Sequence, residues 1–394
     1  AEVSARALGL SFNPRKCATL HLGARGQPIS TPFQLAGEHL PVMEHGDSYL
    51  HLGVPTGVGI DQTPYSAIDQ LVADVGAISA SLLAPWQKIE TVATFLLPRL
   101  DFLFRGGEVK KTPLNEADRI LRRTVKSWLN LPQRASAEVV YIPPSWGGCG
   151  LPPLADLADV TTVAHAFRFL NADDPFVARV ARSALVEAVR RKIRREPNEE
   201  DIAGYLSGSV EGDLALPSTS RASFWSRVRA AAARTAKKIG YRWRWDSGRA
   251  ELSLECPARG GRKVTVPPAA KRQVIGRMRA AVAAHYMSVL LAKPDQGKVF
   301  EATSRHGASN RFMRSGKFIR FADWRFVHRA RLDVLPLNGA RRWGAGDRRC
   351  RRCGYASETL PHLPLRPAFG RSSIASQCNA RGLPRPPGSL ARFG

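Results

Sequence analysis

The feature that most constrains the fold is the spacing of apolar residues downstream of Pro64. From there to about Arg195, apolar residues recur at i, i+3 and i+4, which is the period of a helix with one buried face. Five segments carry this pattern and are separated by Pro, Gly or Asn, which favour helix ends. They are Ala67–Ser81, Ile89–Leu97, Glu116–Leu129, Ala155–Leu170 and Asp174–Arg194. The sequence therefore predicts a helical bundle over this part of the chain.

A different pattern precedes the helical region. Residues 1–57 alternate short apolar runs with turn residues, which predicts strands at Cys17–Leu22, Phe33–Leu35 and Tyr49–Val54. This segment is too small to be a domain. We expect it to be the end of a sheet whose other strands lie upstream of Ala1.

Mixed elements follow the helical region. Residues 196–220 are acidic and rich in Gly and Ser, which indicates a loosely held connection around one short helix. A basic helix at Phe224–Lys238 and a long amphipathic helix at Ala269–Leu291 are predicted further on. Between them we expect a meander of three strands, at Tyr241–Asp246, Glu251–Cys256 and Lys263–Val266. The predicted fold class is mainly α with small β elements (α+β).

The charge of the chain points to a polyanionic partner. The formal net charge is +26 over 394 residues, and residues 301–394 carry 19 Lys/Arg against 5 Asp/Glu, about half of that excess. Clustered arginine at this density is the electrostatic footprint of phosphate-backbone binding. No apolar stretch approaches the ~20 residues of a membrane helix, since Phe95–Leu103 is interrupted by Pro and by charged residues. We therefore expect no membrane partner.

One predicted helix carries cations on a single face. In Glu116–Leu129, the residues Ile120, Leu121, Val125, Trp128 and Leu129 share the apolar side, and Arg119, Arg122, Arg123 and Lys126 lie opposite. Such a helix can dock on a bundle and present its cations to phosphates. The alternative is an ordinary solvated basic face, because charge runs on helices are common.

Two further sequence patterns bear on function. Alternation over Tyr241–Trp245 places three aromatic residues on one sheet face, which could stack on bases but more often forms the core side of a small sheet. A polymerase, nuclease or phosphatase needs clustered carboxylates for Mg²⁺. Asp173-Asp174 and Glu199-Glu200-Asp201 instead stand at helix ends, where acids act as caps. The sequence contains no complete active site that we can identify.

The strongest local motif is a Cys-x-x-Cys pair within an arginine-rich segment. Cys350 and Cys353 are followed by His362, which gives two thiolates and an imidazole with the spacing of zinc ligands. The fourth ligand is missing at close range, because a compact knuckle would place it at Pro367 and Cys378 lies well beyond. The alternative is a pair of reduced thiols in a basic loop.

Several segments, in order, resemble reverse transcriptases of non-LTR retrotransposons. Leu8–Cys17 is similar to the segment that follows the catalytic aspartates, Tyr49–Gly53 to the primer-grip strand, and Arg119–Pro132 with Trp146–Pro152 to the thumb. Phe321–Arg331, Pro336–Gly339 and the Cys350/Cys353/His362 knuckle resemble the linker of single-reading-frame elements that insert at fixed sites in ribosomal RNA genes. The ordered set spans residues 8–362.

The resemblance implies a division of the chain. Residues 1–57 would be the C-terminal end of the palm, 58–195 the helical thumb, 196–345 a basic linker and 346–366 a zinc-knuckle-like segment. Residues 367–394 lack helical or strand periodicity and are rich in Arg, Pro, Gly and Ser, so we expect a disordered tail, compatible with an out-of-frame or spliced continuation.

The resemblance also implies an activity that this chain cannot complete alone. In the family, an RNA-directed DNA polymerase primes on nicked target DNA and copies the element's RNA, with two Mg²⁺ ions on palm aspartates and an endonuclease beyond the knuckle. The aspartate pair would fall upstream of Ala1, so no catalytic residue is assigned and Mg²⁺ is expected only there. Phe321-Ala322-Asp323 mimics the polymerase signature, but Trp324 follows it.

The expected partners are template RNA and target DNA. The candidate nucleic-acid contacts are Lys16, Arg119, Arg122, Arg123, Lys126, Arg320, Arg325, Arg329, Arg331, Arg341, Arg342, Arg351 and Arg352, and the candidate zinc ligands are Cys350, Cys353 and His362. If the linker segment is helical, Arg331 points away from Arg325 and Arg329. Trp324 and Phe321 are expected to be buried anchors. The family implies a nuclear location, including the nucleolus, with a cytoplasmic ribonucleoprotein stage.

Two other functions remain open from the residues. One is a non-enzymatic basic nucleic-acid-binding protein derived from such an element. The other is a zinc-dependent hydrolase at the Cys/His cluster, for which Glu358 is the only nearby candidate for a general base. The reading frame around the chain separates the first from a retrotransposon polymerase, and metal analysis tests the second.

Overall fold

A computed structural model of the chain describes residues 2–23, 26–51, 53–217, 223–257, 262–316, 319–339, 346–354, 356–360 and 362. The chain is mainly helical with small antiparallel sheets, so the predicted α+β class is confirmed. The helices in the first half are α1 Glu2–Ala7, α2 Tyr65–Ala80, α3 Pro85–Thr91, α4 Arg99–Gly106, α5 Lys111–Trp128, α6 Glu138–Tyr141 and α7 Leu154–Leu170. Those in the second half are α8 Pro175–Ile193, α9 Glu199–Leu206, α10 Phe224–Ile239, α11 Val274–Leu291, α12 Gln296–Ser304, α13 Phe312–Ser315 and α14 Phe321–Arg331. None of the helices described is both long and apolar enough to cross a bilayer.

The strands form three small antiparallel sheets. Two are hairpins, β1 Gln34–Leu35 with β2 Glu38–His39, and β3 Tyr49–His51 with β4 Val54–Thr56. The third is the predicted meander, in which β5 Arg242–Asp246, β6 Glu251–Pro257 and β7 Lys263–Val266 pair in chain order. Within the meander, Trp243 is opposite Leu254 and both are buried, so this aromatic face is the core side of the sheet.

The first hydrophobic core joins helices that are distant in sequence. It is built on the apolar faces of α2, α5 and the start of α7, with α3 and α4 beside them. Leu290, Phe300, Trp324, Leu332 and Val334 enter the same core from the far end of the chain. The segment 196–345 therefore supplies side chains to the interior of the 58–195 bundle.

Trp324 is the largest fully buried side chain of that core, at 0% exposure. Its ring lies 5.6 Å from that of Trp86 on α3, edge to face, and its indole N–H donates to the Phe312 carbonyl at 3.3 Å. The prediction that Trp324 is a buried anchor is confirmed. Phe321 is 44% exposed, so the same prediction for Phe321 is wrong.

The second core lies on the other side of α7. Val160, Val163 and Phe167 of α7 pack with apolar residues of α8, α9, α10, the meander and the first half of α11. Because α7 contributes to both cores, it fixes the two halves of the molecule to each other.

Three local predictions are corrected by the structure. Over Cys17–Leu22 the chain forms only isolated bridges, Thr19 to Val42 and Leu22 to Pro28, because its neighbours pair for a single residue. The predicted strand Tyr49–Val54 is divided into β3 and β4 by a turn with Gly53 at φ +83°, a conformation that glycine adopts without strain. The predicted Ala269–Leu291 helix begins at Val274, after a 3₁₀ segment, Pro268–Gln273.

The acidic segment after residue 195 is not loosely held where it is described. The short helix α9 forms as predicted, but Ile202, Tyr205 and Leu206 are buried in the second core. Arg195 forms ion pairs with Asp201 at 2.6 Å and with Asp213 at 2.9 Å. Acidic composition here reflects surface ion pairing over a packed helix.

A buried histidine on α14 gives the fold an acid sensitivity. His328 is 2% exposed and lies against the Trp324 ring at 4.2 Å, and burial together with the adjacent Arg331 lowers its pKa from 6.5 to about 3. The folded state therefore disfavours the charged ring, so this contribution to stability is complete above pH 6.5 and is lost as the pH falls from 6.5 towards 3. The steepest loss is about 1.4 kcal/mol per pH unit.

We expect His328→Phe to flatten the dependence of the unfolding free energy on pH between 6 and 4. The measurement is urea unfolding followed by circular dichroism at several pH values. His165, with a pKa lowered to about 4 by burial, adds a slope of the same sign in both proteins. His51→Gln, at an exposed position, is the control. An identical slope in wild type and His328→Phe would contradict the assignment.

Candidate nucleic-acid interface and metal cluster

Helix α5 is amphipathic in the way that its sequence predicts. Leu114, Leu121 and Val125 are buried against α2 and α7, whereas Arg119 and Arg123 are exposed. Within the described residues the side chain of neither arginine forms a hydrogen bond or an ion pair. Their guanidinium groups are therefore available to a ligand, on a helix whose other side is fixed in the core.

Three predictions on the same helix turn out differently. The Lys126 Nζ is buried and donates to the carbonyls of Gln133 at 2.9 Å and Ala135 at 2.5 Å, so Lys126 is not a surface contact. Arg122 is half-buried and donates to the Tyr141 hydroxyl at 3.0 Å. Ile120, predicted on the apolar face, is 40% exposed.

Helix α14 carries the second group of predicted contacts. Arg325 is exposed and lies over the Phe321 ring at 4.4 Å, and the exposed Arg320 pairs with Asp323 at 2.9 Å. Arg329 is half-buried and donates to the carbonyl of Asn130 at 2.5 Å and to its side-chain Oδ1 at 3.0 Å. Arg329 thus links α14 to the end of α5.

Arg331 is a correction, because it is only 5% exposed. Its Nη2 donates to Asn310 Oδ1 at 2.6 Å, and its guanidinium lies between the rings of Phe300 and Phe312. Burial lowers the pKa of Arg331 to about 10. The side chain therefore faces away from Arg325, as helical spacing predicts, and cannot reach a surface phosphate.

The remaining predicted contacts are scattered. Lys16 is exposed, and its carbonyl accepts a hydrogen bond from the Tyr49 hydroxyl. Arg352 is also exposed. Arg341 and Arg342 lie outside the described residues.

The structure brings the three predicted metal ligands together. The ligand atoms of Cys350, Cys353 and His362 lie within 4.8 Å of one another, and Cys353 Sγ is 3.3 Å from His362 Nε2. Tetrahedral zinc with ordinary bond lengths separates a sulfur from a nitrogen ligand by about 3.5 Å. The backbone N–H of Arg352 points to Cys350 Sγ at 3.4 Å, as a thiolate ligand requires of its surroundings. The donor set therefore fits zinc.

The turn that carries these ligands is held by its own backbone and by one buried acid. Gly354 N donates to the Cys350 carbonyl at 2.8 Å with φ +78°, which closes the turn. Glu358 pairs with Arg351 at 2.9 Å and accepts from the Asn338 backbone N–H at 2.7 Å. Arg351 lowers the pKa of Glu358 to about 2. Arg351 is thus engaged within the knuckle, and Glu358 is a poor general base.

A cationic cavity between α4, α7 and α10 was not predicted. Its residues come from three separate segments between Phe104 and Arg234, so no local motif marks it. The only sequence feature that pointed to this cavity is the basic character of the Phe224–Lys238 helix.

Comparison with known proteins finds relatives that match part of the chain. No protein-family model matches it. A Pol polyprotein of the type-1 retrotransposable element R2 from Nasonia vitripennis is 29% identical over 150 residues, 36% of this chain and 14% of the polyprotein. One from the type-2 element R2DM of Drosophila melanogaster is 28% identical over 155 residues, 37% of this chain and 14% of the polyprotein.

Homologues of part of this chain are R2 non-LTR retrotransposon Pol polyproteins. The similarity supports an origin related to retrotransposon reverse transcriptases, and the resemblance noted in the sequence is confirmed to that extent. An uncharacterized protein of Caenorhabditis elegans is 27% identical over 345 residues, which is 83% of this chain and 95% of that protein. The chain therefore spans a small part of the R2 polyproteins and nearly all of the nematode protein.

Proposed function

We propose that this chain is the thumb and linker part of a site-specific non-LTR retrotransposon reverse transcriptase, and that it binds template RNA and target DNA. It carries no catalytic aspartates of its own. The parent protein would be an RNA-directed DNA polymerase acting by target-primed reverse transcription, with Mg²⁺ on aspartates outside this sequence. The homology to R2 polyproteins supports this origin.

The observation that carries the proposal is the division of α5 into a buried and a cationic face. A thumb must hold a duplex by its phosphates while its own position stays fixed, since a displaced thumb would misplace the primer end. Leu121 and Val125 supply the anchorage, and Arg119 and Arg123 supply the exposed charge. Such contacts position a duplex without reading its sequence.

The same proposal assigns the other segments. Residues 1–57 would end the palm, 58–195 form the thumb, 196–345 the linker, 346–366 the zinc knuckle and 367–394 a tail. Shared packing between 58–195 and 196–345 supports one rigid body that tracks a duplex across both. The working location would be the nucleus and nucleolus, after a cytoplasmic ribonucleoprotein stage.

We further propose that Cys350, Cys353 and His362 hold a structural zinc ion. Zinc would cross-link a turn that has little apolar core of its own, and so fix Arg352 at the surface. A hydrolytic role is disfavoured, because the Glu358 carboxylate is engaged by Arg351 and the Asn338 N–H.

Cys350→Ser should remove the zinc. We expect about one zinc per purified wild-type chain and a loss of most of it in the variant, measured by elemental mass spectrometry after gel filtration. Cys17→Ser, which changes a cysteine away from the cluster, should keep the wild-type content. Equal zinc in wild type and Cys350→Ser, or none in wild type after loading, would contradict the site.

The experiment that tests the proposed function removes the two exposed charges of α5. A plot of log K against log salt has a negative slope. We expect Arg119→Gln with Arg123→Gln to make this slope shallower by about two, because each lost phosphate contact reduces its magnitude by about 0.9. The readout is fluorescence anisotropy of a labelled RNA–DNA hybrid.

A matched control has the same change in net charge. Arg190→Gln with Arg191→Gln alters two exposed arginines on α8 that already pair with Glu187 and Glu196. This control should keep the wild-type slope. If both double variants give the same slope, α5 does not contact the phosphates.

A second candidate is a non-enzymatic basic nucleic-acid-binding protein derived from such an element. The nematode relative favours it, because 95% of that protein is matched within this chain. Both candidates predict binding without nucleotide incorporation by the chain alone. An upstream reading frame with a palm and two adjacent aspartates supports the first candidate, and an unrelated start supports the second.

A further inference from the structure

A cavity of about 230 Å³ lies where α4, α7 and α10 meet. One wall is the turn from Phe104 to Lys111 between α4 and α5. The other walls are α7, around Asp159, and α10, from Phe224 to Arg234. The cavity is therefore built by both the proposed thumb and the proposed linker. Its volume lies below the range of about 300–1,000 Å³ that is typical of pockets for drug-sized ligands, so it suits a smaller group.

Cations outnumber acids in the lining. The basic residues are Arg105, Lys110, Lys111, Arg227 and Arg234, and the acidic ones are Glu108 and Asp159. Asp159 is buried and is shared by two cations, since it lies 2.7 Å from Lys111 and 2.8 Å from Arg234. One carboxylate thus pairs with two positive charges in the cavity wall and can neutralise only one of them.

Two of the other cations have partners beyond the cavity. Arg105 pairs with Asp101 on its own helix, and Lys110 pairs with Asp61 at 2.9 Å. Helix α5 begins at the cavity wall, and no side chain caps its first turn, so its terminal amides add partial positive charge there.

Arg227 is the under-compensated member of the set. No carboxylate of the described residues lies within ion-pair distance of it. Its Nη1 makes one long hydrogen bond, of 3.4 Å, to the Gln62 side-chain oxygen, and its guanidinium lies 5.8 Å from the Phe224 ring. Burial lowers the pKa of Arg227. A half-buried guanidinium with most of its N–H groups uncommitted is a strong donor to an oxyanion.

We propose that this cavity is a phosphate-binding subsite, in which Arg227, supported by Lys111 and Arg234, holds one phosphate of a bound nucleic-acid strand. The strand as the source of the phosphate rests on the proposed function; the phosphate chemistry of the cavity does not. An arginine fork matches two phosphate oxygens at once, and the excess charge over Asp159 offsets the charge of the ligand. The subsite would fix the strand at the junction of thumb and linker.

Two variants and one control test the subsite, and each lowers the net charge by one. Arg227→Gln removes the donor. Ala230→Glu places an acid at an exposed position of the lining, without deleting any packing, and keeps the test valid if Arg227→Gln fails to fold. Lys237→Gln removes an exposed charge from the same helix outside the cavity.

Two measurements are made on each protein. Inorganic phosphate is titrated and its ³¹P line width is followed by NMR. Binding of a labelled single strand is then measured by anisotropy as a function of salt. We expect saturable phosphate binding in wild type and Lys237→Gln and its loss in both cavity variants. For the strand, we expect the cavity variants to bind about tenfold more weakly. The slope of log K against log salt should be smaller in magnitude by about 0.7.

The outcomes separate the two proposals. Loss of phosphate binding together with the lower strand slope supports the subsite. Loss of phosphate binding with an unchanged strand slope overturns the strand as its source. If all four proteins behave alike towards phosphate, the subsite itself is overturned. If wild type binds phosphate at the cavity but ignores strands, the phosphate chemistry is supported and the proposed function fails.

Discussion

Trp324→Ala is expected to lower the free energy of unfolding by about 3–5 kcal/mol, the usual cost of truncating a fully buried tryptophan. The ring is 0% exposed and contacts Trp86, His328 and the Phe312 carbonyl. Its loss would leave a cavity between α14 and α3 that neither helix can fill without moving. Because α14 joins the two proposed regions, the loss would also loosen the linker from the thumb.

The measurement is urea unfolding by circular dichroism, with Phe321→Ala as the matched control. Phe321 stands on the same helix and its ring lies 6.2 Å from Trp86, but it is 44% exposed. We expect the control to cost about 1 kcal/mol or less. Equal and small losses in the two variants would show that α14 is not anchored in the first core.

The helices and the meander were predictable because their signals are local. Apolar spacing located α2, α5, α7 and α8 to within a few residues, and the strand pattern located the three strands of the meander. The three metal ligands were also predictable, because Cys350 and Cys353 share one turn and His362 follows it closely in sequence. The metal itself stays a prediction.

The side chains whose surroundings were predicted wrongly depend on partners outside their own helix. Lys126 and Arg123 are equally basic on one helix, but the loop that follows α5 turns back and offers its carbonyls to Lys126 alone. Arg331 is buried because Phe300, Asn310 and Phe312 fold around it. Helical period gives the direction of a side chain but not what covers it.

The cavity around Arg227 was even harder to predict from helical period. Lys111, Asp159 and Arg234 carry no motif, and each reads as an ordinary surface charge. Only the packing of α5 and α10 on α7 makes them neighbours. A site of this kind can be found from the structure and not from spacing.

The central claim is that the exposed cations of this chain hold nucleic-acid backbones. Among the predicted contacts in the described residues, seven are exposed: Lys16, Arg119, Arg123, Arg320, Arg325, Arg351 and Arg352. Arg351 is already paired with the buried Glu358, which leaves six. If about six phosphates are neutralised, log K should fall with log salt at a slope of about −5 for a duplex. A fourfold rise in salt then weakens binding by about 10³-fold.

The direct test is an anisotropy titration of an RNA–DNA hybrid with the purified chain at 50 mM and at 200 mM salt. The account predicts binding at 50 mM and a loss of about 10³-fold in affinity at 200 mM. An affinity that is the same at both concentrations, or no binding even at 50 mM, would contradict it.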